Sequence, residues 1–349
     1  MWRQVRLTSR VIGSIFFCSL LAPAAANAQD AAALAARLHA TAEANAIDGA
    51  GMLPWHLKMD VQLFDEKGKA KEQGTIEEWW GGPEMYRVVF TFPSYTGTQL
   101  HNKDGAFETK GGTFEPGVLD DLLDQVVHPM RHEEEFDLGT PLLRKQKFGP
   151  VDLECIMLNQ AIKQIAFPPW GLFPTYCLDP GKNDLRITNE LGSLTLFRNR
   201  IGTFQGRLVA VDISGRSDEL MAVTGHVTAL TAVQLTDADF VPGDDLVSVV
   251  ESAAKVGAAT VAGRLLTRPD PVYPLEAKQN RIWGAVIMHA IIGRDGHIRS
   301  LRLISAADPS LAVSAIAAVR RWTYQPYVLN GTPTEVDTTI TVNFTFGAP

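Results

Sequence analysis

Cysteine is scarce in this sequence: Cys18, Cys155 and Cys177 are all it has. No two of them stand in the C-x-x-C spacing of a redox-active pair with a lowered thiolate pKa. Beyond the N-terminal leader, no segment holds the ~20 apolar residues that a membrane-spanning helix needs. The chain also lacks a G-x-S-x-G nucleophile elbow, a Gly-rich phosphate loop ending in Lys-Ser/Thr, and an H-E-x-x-H zinc motif. A non-enzymatic protein without a cofactor is therefore expected. Positive charge is short as well, the formal net charge being −7. Nucleic acid and anionic membrane both reward clustered Lys and Arg, so neither is expected as an electrostatic partner.

What is present begins with an export signal. Arg3, Arg6 and Arg10 precede an apolar run from Val11 to Ala26 that ends in Ala26-Asn27-Ala28, the small-x-small pattern of a signal-peptidase site. Cleavage after Ala28 and a periplasmic location are the expectation. Pro23 and the Ala-rich end leave the strongly apolar part too short to anchor the chain. Cys18 lies inside this run after Phe16-Phe17 and is lost with it. Removing three arginines and no acids takes the net charge from −7 to −10. The remainder is long enough for two domains, since single cores seldom grow past ~250 residues.

Cys155 and Cys177 are then an even pair in an oxidising compartment, which points to a structural disulfide. Closing a loop of that length stabilises by roughly 3 kcal/mol in the chain-entropy model. One ionisable cluster, His128, His132 and Glu133 to Glu135, has two histidines four residues apart. Pro129 between them argues against a regular helix, so a solvated charged loop is expected there and no metal site.

Along the mature chain, Asp30 to Asn45 reads as an amphipathic helix with Leu34 and Leu38 one turn apart. Strand patterns follow. Trp55 to Phe64 alternates through Leu57, Met59, Val61 and Leu63, and Asp65 to Gly74 is turn-rich. Thr75 to Trp80 and Met85 to Phe92 flank the breaker Gly81-Gly82-Pro83. Short strands are expected at Gly97 to Asn102 and Ala106 to Thr109, then a helix from Pro116 to Val127. Further strands run from Val151 to Leu235. The predicted class is α+β: an N-terminal curved antiparallel half-barrel with helices over residues 29–246, and a small α+β domain after it.

An exported helix followed by two strands, a Gly-Pro turn and a Tyr86-Arg87 strand is similar to the LolA/LolB-like lipoprotein-carrier superfamily. That resemblance implies a concave face that shields acyl chains, with Trp79, Trp80, Phe90, Phe92, Phe107 and Phe114 as its lining. Neighbours in a strand face opposite ways, so only one of Trp79 and Trp80 can point inward. Ordinary core packing is the competing reading for each of these aromatics.

Residues 247–265 turn to small residues and read as a linker or short helix. From Arg268 the pattern sharpens. Pro271-Val272-Tyr273-Pro274 precedes a short helix, Leu275 to Gln279, and a β-rich segment from Trp283 to Ile292. Asp295-Gly296 makes a hairpin turn to His297 to Ser305. Asp308 and Pro309 begin a helix in which Leu311, Ala315, Ile316, Val319 and Trp322 share a face. Trp322-Thr323-Tyr324-Gln325-Pro326 ends it, Asn330-Gly331 turns, and Thr338 to Phe346 alternates with a period of two.

In that order P-x-Y-P, D-G, W-x-Y-x-P and N-G resemble the TonB C-terminal domain over residues 266–349, as helix, strand, strand, helix, strand. The resemblance implies binding of an outer-membrane receptor peptide by β-augmentation at the last strand. The edge residues would be Thr339, Ile340, Thr341, Val342, Asn343, Phe344 and Thr345. Tyr273, Trp322 and Tyr324 are expected to pack inside the small domain. An energy transducer of this family needs an anchored N-terminal helix and a Pro-rich linker, and neither pattern is evident, so motor-driven transduction by this chain alone is not expected.

Two functions remain open. One is a periplasmic TonB-family protein that binds a receptor peptide, another envelope protein's β-edge or a second copy of itself, in TonB-type transport. The other is a lipid or lipoprotein carrier that uses the N-terminal cavity.

Overall fold

The structure, a computed structural model, describes residues 22–109, 117–130, 133–159, 168–190, 193–217, 220–249, 253–329 and 331–346. It opens with α1 (Ala22–Asn45), on which Leu38 and Ala42 are buried one turn apart. The expected cleavage point after Ala28 falls within this helix, and most of the leader lies outside the described residues.

A meander follows: β1 (Trp55–Phe64), β2 (Ala70–Gly82), β3 (Met85–Thr91), β4 (Thr96–Asn102) and β5 (Gly105–Thr109). The turn after β1 is shorter than its composition suggests. The Asp65 carboxylate accepts from the backbone N–H groups of Lys67 and Lys69, both at 2.9 Å, so the return strand starts at Ala70 rather than Thr75. After α2 (Gly117–Val127) a second meander runs through β6 (Leu142–Phe148), β7 (Val151–Met157), β8 (Thr175–Leu178), β9 (Leu185–Asn189), β10 (Thr195–Phe204), β11 (Arg207–Ser217) and β12 (Leu220–Ala232). Pairing of β12 with β1 fuses the two meanders, and β13 (Leu246–Val249) returns to β5. Among the described residues this makes one antiparallel sheet of thirteen strands. Register shifts at Lys58/Met59, Arg198–Ile201 and Gly215/Arg216 mark β-bulges, which bend strands and increase their twist.

Helix α2 fills the face of this sheet. Its Leu119, Leu122 and Val126 are fully buried against Trp55, Met59, Phe90 and Ile213. The fit is close at Gly225, where a Cβ would lie 2.8 Å from Met59 Sδ and 3.0 Å from the Leu122 side chain. Helix α1 covers the second meander, packing Leu38 and Ala42 on Ile156, Tyr176 and Leu178. Its end is tied to the sheet by a buried Arg198, whose guanidinium donates to Asn45 Oδ1 at 2.5 Å and to the Leu208 carbonyl at 3.3 Å. Cys155 and Cys177 stand directly opposite each other on β7 and β8 and are disulfide-bonded.

The remaining chain forms a smaller, four-stranded sheet and, among the described residues, two ribbons of two strands each. Its elements are β14 (Ala254–Lys255), α3 (Ala258–Ala262), β15 (Leu265–Thr267), α4 (Leu275–Gln279), β16 (Gly284–Ile292), β17 (Ile298–Ala306), α5 (Pro309–Val319), β18 (Thr323–Tyr324), β19 (Val328–Leu329), β20 (Thr332–Pro333) and β21 (Val336–Phe344). The strand order of the sheet is β14-β21-β16-β17, and the ribbons pair β15 with β18 and β19 with β20. The stretch read from sequence as linker thus carries β13, β14 and α3, and stitches an edge of each sheet to the other. Asp308 caps α5 by accepting from the Ser310 N–H at 2.8 Å. The helix buries Leu311, Ile316 and Val319 on β16 and β17, each worth roughly 1.5–3 kcal/mol relative to exposure.

The two sheets share a seam. Met157, Leu172 and Phe173 of the larger unit join the apolar cluster of the smaller one. Around them Arg294, Arg299 and Arg302 of the β16–β17 hairpin pair with Glu108, Asp120 and Glu135. Glu133–Glu135 is a single 3-10 turn, and Glu135 is buried. The expected solvated loop is corrected in that part: an arginine from the smaller sheet draws the third glutamate out of water.

Candidate functional site

The period of two read in the last strand is realised in β21. Val336, Thr338, Ile340, Val342 and Phe344 are buried, while Thr339, Thr341 and Asn343 are exposed. One side of the strand pairs with β16 along its whole length, from Gly284↔Phe344 to Ile292↔Val336, without a register shift. On the other side β14 is the only strand among the described residues, and α3, which follows it, packs against β21. There β14 runs parallel and covers only Val336 and Asp337, with the N–H of Ala254 donating to Glu335 O at 2.8 Å and that of Val256 to Asp337 O at 3.1 Å. Backbone groups alternate between the two sides of a strand. Since Glu335 and Asp337 point toward β14, those of Thr339, Thr341 and Asn343 also point away from β16. Among the described residues, no strand pairs with them there. Thr345 lies past the end of the strand.

The surroundings hold this edge stiffly. The Tyr273 hydroxyl donates to the Ile282 carbonyl at 2.6 Å, and its ring lies edge-on to Phe344 at 5.3 Å and beside Phe346 at 5.6 Å. Trp322 is buried and donates from Nε1 to the Pro269 carbonyl at 3.0 Å, with Arg268 over its ring. Tyr324 is also buried, and burial pushes its hydroxyl pKa up to about 12, against the opposing Arg268 charge. These three aromatics of the P-x-Y-P and W-x-Y-x-P motifs are packing residues. Pro269 and Arg268, bound to Trp322, fasten the opening segment of the unit to the end of α5.

Residues 269–346 match the family model described as Gram-negative bacterial TonB protein C-terminal. No curated protein matches the chain. Among solved structures, it is similar to a LolA superfamily protein from Nitrosomonas europaea, at 10% identity and a TM-score of 0.40, covering 59% of this chain and 97% of that one. It is also similar to a DUF1329 family protein from Desulfovibrio piger, at 10% identity and a TM-score of 0.38, covering 61% of this chain and 97% of that one.

The aromatics assigned to an acyl cavity stand elsewhere than on an open surface. Trp80, Phe90 and Phe92 are buried in the core beneath α2, and Trp80 stacks on Trp55 at 5.7 Å. Trp79 faces the other way, stacked on His56 at 4.5 Å with Arg87 over its ring at 4.4 Å. Phe107 is half-buried, and Phe114 lies outside the described residues. Helix α2 packs its apolar face against the buried rings. A cleft of about 980 Å³ does open beside the TonB-like sheet, but none of these aromatics lines it, and its walls mix Arg294, Arg299 and Arg321 with Glu66, Glu108 and Asp295. His128 is held by Asp48 at 3.0 Å, a hydrogen bond that raises its pKa against the effect of burial, while His132 lies outside the described residues. Among the described residues, no group of three His, Cys, Asp or Glu side chains is placed to hold a metal. No described helix is long and apolar enough to cross a membrane.

Sequence reasoning missed the seam. Three arginines on one hairpin of an acidic chain were a usable signal, but their partners Glu108, Asp120 and Glu135 come from three separate elements.

Proposed function

We propose that the protein is an exported, periplasmic interaction protein whose TonB-like domain accepts an extended peptide of an envelope partner as an added strand beside β21. The observation that carries this reading is the run of outward-facing backbone groups at Thr339, Thr341 and Asn343, with which no strand pairs among the described residues beyond the two that β14 covers. Unpaired strand edges are templates for a further strand: main-chain hydrogen bonds give affinity and side-chain contacts give register. Because β14 already lies parallel on this edge, a parallel guest meets the geometry the chain uses for itself. The family match at 269–346 supports an outer-membrane receptor as the source of the peptide. The basic leader ending in Ala26-Asn27-Ala28 supports a periplasmic setting, the mature chain starting at Gln29.

The test uses a photoreactive residue at Asn343 in the full-length chain, expressed in its own host, with and without Thr341→Pro. Proline there removes an N–H that points away from β16 and leaves the ladder with that strand intact. A crosslink to an outer-membrane receptor at Asn343, reduced at least tenfold by Thr341→Pro, is the expected result. A crosslink to a second copy would replace the receptor with self-association. Yields no higher than from a photoreactive residue at Lys145, or insensitive to the proline, would overturn the reading.

A further inference from the structure

A second cleft, of about 340 Å³, sits at the seam between the large sheet and the TonB-like hairpin. That volume is at the lower end of the ~300–1,000 Å³ typical of small-molecule sites. One wall is Gln125 near the end of α2, a residue only 4% exposed, whose side-chain Oε1 has no hydrogen-bond partner among the described residues. An unsatisfied buried carbonyl costs about 1–3 kcal/mol, so a group that donates to it is favoured by that much. Carboxylates outnumber cations in its lining. Asp121, Asp124 and Glu190 line the cleft. Arg299, the one lining cation among the described residues, is already held by Asp120 and by Glu335, which also lines the cleft. Ser300 closes the space from the hairpin side.

We propose that this cleft binds a small organic cation, an amine or guanidinium compound whose N–H groups donate to Gln125 Oε1 and to the Glu190 carboxylate. An anion is disfavoured by four lining carboxylates and an arginine already paired with one of them. A neutral apolar guest would leave the Gln125 oxygen unsatisfied. Burial pushes the Glu190 carboxyl up to about 7, with Arg302 opposing and Glu135 adding to the rise, so a cation beside it has a charge to restore. Because the walls come from both units, the guest also bridges the seam.

Isothermal titration of the full exported chain with putrescine and agmatine, beside 1,4-butanediol as a neutral molecule of the same length as putrescine, tests the proposal. Saturable binding of at least one cation and none of the diol is expected. Glu190→Gln and Gln125→Met should each weaken the cation at least tenfold while retaining a cooperative thermal transition. Should either fail to fold, Ser300→Leu, which fills the mouth from the opposite unit, should give the same loss. The proposal is overturned if neither cation binds, if the diol binds as well as they do, or if the folded variants keep wild-type affinity.

Discussion

Glu78 stands on the inward face of β2 between Ile76 and Trp80, 5% exposed, with an Oε2 atom that has no hydrogen-bond partner among the described residues. Burial, with the Asp48 carboxylate adding to it, raises its pKa from 4.5 to about 8. The folded protein therefore keeps the proton that the unfolded chain loses above about pH 4.5. Stability from this group is fully present below that value and is lost as pH rises toward 8, by up to about 4 kcal/mol at ~1.36 kcal/mol per unit. Glu78→Gln should flatten that fall and leave the variant more stable than wild type at pH 8. Urea denaturation at pH 5, 6.5 and 8 reads it; superimposable pH slopes for both proteins would sink the account. The sequence marked Thr75 to Trp80 as a strand but left open which face turns inward, and a carboxylate at a core position contradicts the polarity rule by which such faces are read. The adjacent Trp79 and Trp80, each able to fill an inward position, left the choice to the packing of the sheet.

At the scale of elements, legibility followed local punctuation. The hairpin β16–β17 was readable because Asp295-Gly296 marks its turn. The structure adds why glycine is needed there: its φ is +82°, and a Cβ would lie 1.9 Å from the Tyr324 carbonyl oxygen, while its own carbonyl accepts from the Tyr324 N–H at 2.8 Å. Gly296→Ala is expected to cost at least about 2 kcal/mol through combined steric and left-handed strain, lowering the thermal midpoint by several degrees. An unchanged midpoint would show that the turn relaxes freely. Helix α2 was readable as a helix by its spacing of Val118, Leu119, Leu122, Leu123 and Val126, but not as the filling of the large sheet. Periodicity defines an apolar face and is silent on what that face meets. The two-residue strand β14 had no pattern at all, because its pairing with Val336 and Asp337 is set by the path of the chain between the sheets.

For the whole molecule, the question is whether the outer edge of β21 is displayed by a free unit or by one fixed to the large sheet. The arginine pairs at the seam decide how firmly it is held. Glu135 is the most deeply placed of the three acids, its side chain 10% exposed, while its partner Arg302 keeps 30%. Breaking a fully buried pair costs ~3–5 kcal/mol, and the exposure of Arg302 discounts this to about 2 kcal/mol. Arg302→Glu should therefore loosen the seam without unfolding the smaller sheet, since Leu301 and Leu303, the neighbours that face its core, are untouched. Calorimetry should then resolve two unfolding transitions in place of one, and small-angle scattering should show a larger radius of gyration. Reversing the partner as well, Glu135→Arg with Arg302→Glu, restores opposite charges and should recover most of the lost cohesion, a recovery that mere crowding at residue 302 would not permit. If the single variant scatters like wild type, the apolar contacts of Met157, Leu172 and Phe173 hold the seam alone, and the arginines only set its register.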